Sequence, residues 1–428
     1  MKILLVSPHG SRPRGFFARL TYPSLSLQQV AAITPPEHEV TIVDERFEDI
    51  DFRPHYDVIG VSCLTYNSIR GYEVAARFRK QGAVVVFGGY HASLLPEEAK
   101  QHADVVVIGE AELTWPQVLR DVANKSLKPF YRAPRLVEPE EIPAARHDIG
   151  VYHPFTEAMQ VSRGCPTGCE FCAMQVVEGP RFRGRPVDRL VEEMKTIKAK
   201  SIFFSDASLT INPPYTKRLF TEMSQVGKTF ECFGNMNVLA RDDELLRLAR
   251  EAGVSMWYVG IESITQENIN QAGKSTNKVE DYGKAIRKIK DHGMMVTGFF
   301  MFGFDHDTPE SFQKTLRAIH EWDLDEISLS IVTPYPGTRL FQRLEREGRI
   351  LSRDWSRYDE GKLNFKLENM TESEFRAGLR SMATDYFSYH EIVKRAAHES
   401  VLHPNQMFRK FFGNVMLRNY YLNDKLTA

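Results

Sequence analysis

Ala158-Met159-Gln160-Val161-Ser162-Arg163-Gly164-Cys165-Pro166-Thr167-Gly168-Cys169-Glu170-Phe171-Cys172 joins a short apolar run to a loop holding three of the chain's five cysteines. The run reads as a strand over 158–162, and the glycine- and proline-bearing stretch reads as the loop at its carboxyl end. The spacing is C-x3-C-x2-C. Three thiolates this close suit soft-metal chemistry: they can hold three irons of a four-iron cluster and leave the fourth iron open. Structural zinc needs a fourth ligand; no fourth cysteine follows at ribbon spacing, and a histidine such as His153 would have to complete that site. An odd cysteine count does not suit a disulfide framework, so the clustering points to metal chemistry in a reducing compartment. Cys63 and Cys232 fall within predicted strands and read as core thiols.

Downstream, further strands are predicted over 201–205, 230–233, 255–261, 296–302 and 326–332, with helical stretches between them. The first such helix is marked by Val187, Leu190, Val191, Met194 and Ile197 at three- and four-residue steps. Six βα units predict a partial (β/α)6 TIM-like barrel, with chemistry in the loops after the strands. Upstream, near-continuous apolar strands over 2–7, 39–43, 58–63, 83–87 and 105–108 alternate with helices near 25–33, 68–81 and 96–102. That is the pattern of a doubly wound, Rossmann-like parallel sheet, whose ligands bind at the carboxyl edge. Pro129, Pro134, Pro139, Pro143 and Pro154 break the intervening stretch into a linker. Beyond 351 the chain turns charged and aromatic, and Thr371 to Glu374 resembles a capping box. The expected division is therefore 1–125 doubly wound sheet, 126–157 linker, 158–350 barrel and 351–428 small helical domain.

With 55 Lys plus Arg against 56 Asp plus Glu over 428 residues, and 42% apolar residues, the composition is that of a globular protein. It excludes disorder and gives no electrostatic reason for nucleic acid as a partner. The apolar stretch 294–304 is too short and interrupted to span a bilayer. Residues 1–8 read as a buried strand rather than a signal peptide, so a cytoplasmic location is expected.

The cysteine loop resembles that of the radical S-adenosylmethionine (SAM) enzymes, whose C-x3-C-x-aromatic-C pattern is matched by Cys165, Cys169, Phe171 and Cys172 without gaps. The resemblance implies a [4Fe-4S] cluster on the three cysteines. Its open iron chelates the SAM amino and carboxylate groups, and one electron breaks a carbon–sulfur bond to give a 5′-deoxyadenosyl radical. The protein holds SAM and excludes water. Other strand ends fit the same resemblance. Ser205-Asp206-Ala207-Ser208 stands where the family receives the SAM amino group, without the usual glycine-glycine-glutamate form. Gly260-Ile261-Glu262-Ser263 resembles the segment near the SAM ribose and methionine, and Asn235-Met236-Asn237 supplies a polar group after the third strand. SAM contacts are thus expected at Phe171, Ser205, Asp206, Asn235, Glu262 and Ser263, with burial against an arginine as the alternative for Glu262. Asp305, His306 and Asp307 read as capping or surface residues. No catalytic acid or base is assigned.

Ahead of such a barrel, the first domain resembles the cobalamin-binding domain of cobalamin-dependent radical SAM enzymes. The resemblance rests on Tyr22-Pro23-Ser24-Leu25-Ser26-Leu27, the strand over 58–64, Gly88-Gly89-Tyr90-His91-Ala92-Ser93 and Gly109-Glu110-Ala111-Glu112. Glycines at strand ends let backbone approach a large flat ligand, though they also make ordinary turns. Cobalamin contacts are expected at Pro8, Ser62, Thr65, Gly88, Gly89, His91, Gly109 and Glu110. The aspartate-x-histidine-x-x-glycine ligand motif is missing; the chain reads Ser7-Pro8-His9-Gly10-Ser11-Arg12 instead. Relatives hold cobalamin without a histidine on cobalt, and His91 is expected beside the cofactor rather than on the metal. The departure also admits a degenerate domain that binds none.

The resemblance implies methyl transfer from methylcobalamin to an unactivated carbon, using two SAM molecules per turnover. Radical oxidative cyclisation or rearrangement is the alternative within the family. A non-catalytic metal-binding or electron-transfer protein is the alternative outside it, and the open three-cysteine site argues against that. A small-molecule, lipid- or tetrapyrrole-like substrate and a reductase or flavodoxin-type electron donor are the expected partners. The stretch 386–421, with Phe408-Arg409-Lys410-Phe411-Phe412 and Arg418-Asn419-Tyr420-Tyr421, reads as a helical core with a basic solvated face. Its weaker reading is a dock for an apolar substrate or a peripheral membrane contact.

Overall fold

The computed structural model describes residues 1–10, 22–151, 155–274, 276–398 and 404–425. Strands β1 (Lys2–Ser7), β2 (Glu39–Asp44), β3 (Val58–Ser62), β4 (Val84–Gly88), β5 (Val105–Ile108) and β6 (Phe130–Arg132) form one parallel sheet in the order β2-β1-β3-β4-β5-β6. The order reverses beside β1, which opens a crevice at the carboxyl edge. Ile3, Leu4, Leu5 and Val6 are all buried, because helices cover both faces of this sheet and leave no polar alternation.

Two features depart from expectation. The stretch read as a linker contributes β6, paired with β5 through Val106 and Phe130; a three-residue strand among prolines carries no period to recognise. The glycines after β4, read as part of a loop, start a helix over Gly89–Leu94. Gly89 has φ +86°, and a Cβ there would meet the Cys63 carbonyl oxygen at 2.8 Å.

The second sheet begins at β7 (Thr156–Met159). A small antiparallel ribbon follows, β8 (Ser162–Arg163) with β9 (Arg183–Gly184). Then come β10 (Ser201–Phe204), β11 (Thr229–Gly234), β12 (Val254–Glu262), β13 (Met295–Phe302) and β14 (Glu326–Ile331). Apart from the ribbon these strands are parallel, in the order β14-β13-β12-β11-β10-β7, a six-stranded half barrel. The predicted strand over 158–162 is therefore split. Asp206 accepts from the backbone nitrogens of Val161 and Ser162 and from Ser162 Oγ, so a carboxylate replaces the sheet ladder and the chain turns aside into the ribbon. Trp257, Tyr282, Phe204, Phe230 and Phe300 are fully buried between sheet and helices, each contributing about 1.5–3 kcal/mol or somewhat more by burial.

The capping box is present: Glu374 N donates to Thr371 Oγ1 at 3.2 Å and Thr371 N donates to Glu374 Oε2 at 2.8 Å, opening the helix Glu372–Tyr386. Helices Tyr389–His398 and Pro404–Asn419 follow. Tyr421 stacks on Phe387 and accepts from Leu329 N at 2.8 Å, fixing this end of the chain to β14. Between barrel and helices, residues 350–365 form a strap closed by an Ile350–Phe365 bridge. Its Trp355 Nε1 donates to Glu98 of the first sheet's domain at 2.8 Å. Among the described residues, no helix is long and apolar enough to cross a membrane. His153 and the side chains of Phe408 and Arg409 lie outside the described residues.

At the opposite, amino-terminal edge of the barrel, His147 lies between Glu193 at 3.1 Å and Glu157 at 3.6 Å, its side chain 6% exposed. Burial pulls its pKa down, but the two carboxylates outweigh burial and raise it to about 9. A folded-state value above the usual 6.5 gives stability that is complete below pH 6.5 and lost as pH rises through 9. The wild-type chain is expected to lose up to about 3 kcal/mol across that window, and His147→Gln should flatten the decline in denaturant unfolding followed from pH 6 to 9.5. An equal slope in both proteins would remove His147 as its source.

Candidate active site between the two sheets

The carboxyl edges of the sheets meet across a cavity of about 490 Å3, bordered by Thr65, Tyr66 and Tyr90 from one side and by Cys165, Cys169 and Cys172 from the other. This lies within the range of ligand pockets. All five cysteines are free of disulfides. The cysteine loop is shaped by backbone bonds rather than by its thiols. Cys165 N donates to Gly179 O at 3.2 Å, Glu170 N to Ala272 O at 3.0 Å and Cys172 N to Cys169 O at 3.2 Å. Gly164 has φ +76°, and a Cβ there would collide with the Arg181 carbonyl. From the helix Arg339–Arg346, Arg343 pairs with Glu170 at 3.0 Å and Arg339 donates to Gly168 O. Burial pushes the Cys169 thiol up to about 12 and raises that of Cys172, so metal binding must displace protons. Among the described residues, no three His, Cys, Asp or Glu side chains converge on a point for one metal ion. In a four-iron core each thiolate sits on a different iron, and a loop offering three soft donors suits that core.

Of the residues expected near SAM, Phe171, Asn235 and Glu262 border the cavity. Ser205, Asp206 and Ser263 do not border it among its described lining, which Ala207 and Ser208 supply instead. The Asp206 carboxylate is used up by the turn into the cysteine loop, and burial raises its pKa to about 7. Ser263 Oγ accepts from Thr265 N and Asn268 Nδ2, both at 3.1 Å. Glu262 adopts a left-handed backbone, φ +61°. Its partner is not an arginine but Lys274, at 2.5 Å. Lys274 also borders the cavity and went unrecognised in the sequence. The one local signal was the adjacent Gly273: its φ is +82°, and a Cβ there would meet Gly168 O at 2.9 Å, so glycine lets this loop press on the cysteine loop.

Of the residues expected near cobalamin, Thr65 borders the large cavity. Ser62, Gly88, Gly89 and Gly109 border a separate depression of about 60 Å3 at the edge of the first sheet. At Gly88 and Gly109 a Cβ would meet nothing within 4 Å, so the backbone is bare toward open space, as a large planar ligand requires. The other three are engaged elsewhere. Pro8 accepts from Asn67 Nδ2 at 2.9 Å. His91 is completely buried, its Nε2 2.7 Å from the Tyr72 hydroxyl and its ring edge-on to Trp355; the helix that replaced the expected loop turns it inward. Glu110 is held by Arg163 and Arg183. Gly88 has extended backbone, φ −142°, so Gly88→Leu is expected to leave the melting temperature and iron content intact. Overpacking of about 1–3 kcal/mol should weaken cobalamin retention roughly 10- to 100-fold. Unchanged retention would remove Gly88 from the cofactor face.

A larger cleft of about 840 Å3 lies along the outward helices Val187–Thr196 and Pro213–Met223. Its described lining includes none of the residues expected at cluster, SAM or cobalamin.

The family model described as radical SAM superfamily matches residues 159–319, and that described as B12 binding domain matches residues 18–119. Bacteriochlorophyllide d C-12(1)-methyltransferase of Chlorobaculum tepidum is 27% identical over 409 residues, covering 92% of this chain and 89% of that one. Bacteriochlorophyllide d C-8(2)-methyltransferase of the same organism is 29% identical, covering 87% of each chain. The structure of the cobalamin-dependent S-adenosylmethionine radical enzyme OxsB, with aqua-cobalamin and S-adenosylmethionine bound, superposes with a TM-score of 0.71 at 14% identity, covering 96% of this chain and 70% of that one. The half barrel with its cysteine loop and the parallel sheet ahead of it, matched by those two models, make the chain a member of the radical SAM enzymes that carry a B12-binding domain.

Proposed function

We propose that the chain is a cobalamin-dependent methyltransferase acting on an unactivated carbon of a tetrapyrrole-like small molecule. The observation that carries this reading is that the three loop cysteines, Phe171, Asn235 and Glu262 of the residues expected near SAM, and Thr65 at the edge of the first sheet border one cavity. The chemistry supplied by the bound [4Fe-4S] cluster, SAM and cobalamin is reductive cleavage of SAM to a 5′-deoxyadenosyl radical and donation of a methyl group. Cys165, Cys169 and Cys172 would hold the cluster. Asn235 and the Glu262–Lys274 pair offer acceptors and donors to the polar ends of SAM. Leu64, Phe299 and Met301 line the rest with apolar surface that excludes water from a radical. Tyr335 and Glu360 also border the cavity, the hydroxyl donating to the carboxylate at 3.2 Å. Both lie outside the two matched spans, as do Ser330 and Thr333 of the same wall, and this wall is the one we assign to the substrate.

The test is anaerobic reconstitution followed by incubation with bacteriochlorophyllide d, SAM, hydroxocobalamin and a flavodoxin-type reductant. Product heavier by one methylene, with 5′-deoxyadenosine and S-adenosylhomocysteine in equal amounts, supports the reading. A ring-closed product of unchanged carbon count would favour the cyclase chemistry, SAM turnover without pigment conversion would overturn the substrate class, and no SAM cleavage would overturn the radical reaction.

A further inference from the structure

Arg163 and Arg183 stand directly opposite each other in the ribbon that closes the cysteine loop. Like charges so placed repel, and both side chains are buried, 9% and 1% exposed. The compensating anions come from the first domain. Glu110 accepts from Arg183 through two bonds of 3.0 and 2.8 Å and from Arg163 at 3.1 Å. Glu112 accepts from the other arm of Arg163 at 2.7 Å. The backbone nitrogen of Val137 donates to Glu110 at 2.8 Å. A further tie runs beside this cluster: the Tyr90 hydroxyl donates to Glu178 at 2.9 Å, and the other oxygen of Glu178 accepts from Gly164 N at 3.2 Å.

The placement of these groups gives the cluster its meaning. Arg163 lies two residues before Cys165 and Arg183 lies beyond the last cysteine, while Glu110 directly follows Gly109 at the edge of the first sheet's depression. We propose that Arg163 and Arg183 are positioning residues of a registering strut, which ties both ends of the cysteine loop to the cobalamin edge and sets the gap between the two cofactors. Buried ion pairs add little net stability over apolar packing, but a guanidinium fork fixes direction. The strut rests on the reading that this loop holds the cluster and this edge the cobalamin.

The test uses the full chain with Arg163→Gln, Arg163→Lys, Glu112→Gln and the double variant Arg163→Gln/Glu112→Gln. Hydrogen exchange of the cofactor-free protein tests the strut without the cofactors. Arg163→Gln should speed exchange about tenfold or more in both 105–112 and 160–168, and Arg163→Lys less, because an ammonium is a point charge without the fork. Faster exchange confined to 160–168, or none, overturns the strut. In reconstituted protein given SAM, Arg163→Gln should lower the ratio of S-adenosylhomocysteine to 5′-deoxyadenosine about tenfold at unchanged iron and cobalt content, because only methyl donation needs the first domain in register. Both products falling by one factor would overturn the positioning role. Wild-type protein that loads no cobalamin would sink the cofactor reading, while the exchange result still decides the strut. Should Arg163→Gln not fold, Glu112→Gln removes one arm alone and should still speed exchange in both segments; faster exchange in 105–112 only overturns the strut. Where all variants fold, the double variant should match Arg163→Gln, since its partner is already lost; additive effects count against the strut.

Discussion

Alanine at Cys165, Cys169 or Cys172 is expected to strip the iron and lower reductive SAM cleavage by well over 100-fold, beyond the 10- to 100-fold typical of losing an outer partner of a metal ligand. The fold should survive, because the loop is held by Cys165 N to Gly179 O, Glu170 N to Ala272 O and the Arg343–Glu170 pair, none of which uses a thiol. Cys63 and Cys232 supply the contrast. Both are buried, Cys232 within β11 and Cys63 in the turn just beyond β3, one residue past the end of its strand, and burial raises their thiols far out of reach of ordinary pH. Alanine there should cost on the order of 1 kcal/mol of packing and leave the iron in place. Iron and sulfide analysis, the absorption spectrum and 5′-deoxyadenosine yield distinguish the two groups. A variant at 165, 169 or 172 that keeps full iron and full cleavage is not missing a ligand.

Lys274→Met is expected to have the second largest effect. The substitution leaves Glu262 buried, 7% exposed, with its cation removed. Breaking a buried pair from one side costs about 3–5 kcal/mol, whereas replacing both members by apolar groups is close to neutral. Lys274→Met should therefore unfold at markedly lower denaturant than wild type, and Lys274→Met/Glu262→Leu should recover part of that loss, limited by the left-handed backbone at 262. Neither should bind SAM as wild type does, because both have lost the Lys274 cation that borders the cavity. Urea melts paired with SAM titrations on cluster-loaded protein separate stability from binding. Wild-type SAM affinity in the double variant would place the pair away from the cofactor.

The sheets were legible where burial dominates. Strand β5 begins and ends where its apolar run does, and β1 extends one residue beyond Ile3–Val6 at each end, as expected, because both faces of each are covered. The legible part of the site was likewise local: three cysteines within eight positions, and Glu262 at the end of its strand. What could not be read depends on partners distant in sequence. Asp206 looks like a ligand residue at a strand end, yet its oxygens are spent on Val161 and Ser162, more than forty positions earlier. Lys274 returns to Glu262 across the helix Gln266–Gln271, a six-residue element too short to show a period. His91 sits in a glycine-rich stretch that reads as a loop, and only the helix that replaces it turns the ring toward Tyr72. Glu360 reaches the cavity with φ +64°, a backbone that nothing in Asp359-Glu360-Gly361 announces.

The strap also bears on the order in which the site comes into being. Trp355 and Glu98 are separated by 257 positions, so a ribosome completes the B12-binding sheet and the cysteine loop well before it makes the residue that ties the strap to the first domain. During that interval the cavity has no Glu360 wall, and the turn Thr65–Asn67 has no Trp355–Arg357 turn packed against it. The wall that the strap gives the cavity is thus the last part of it to be made.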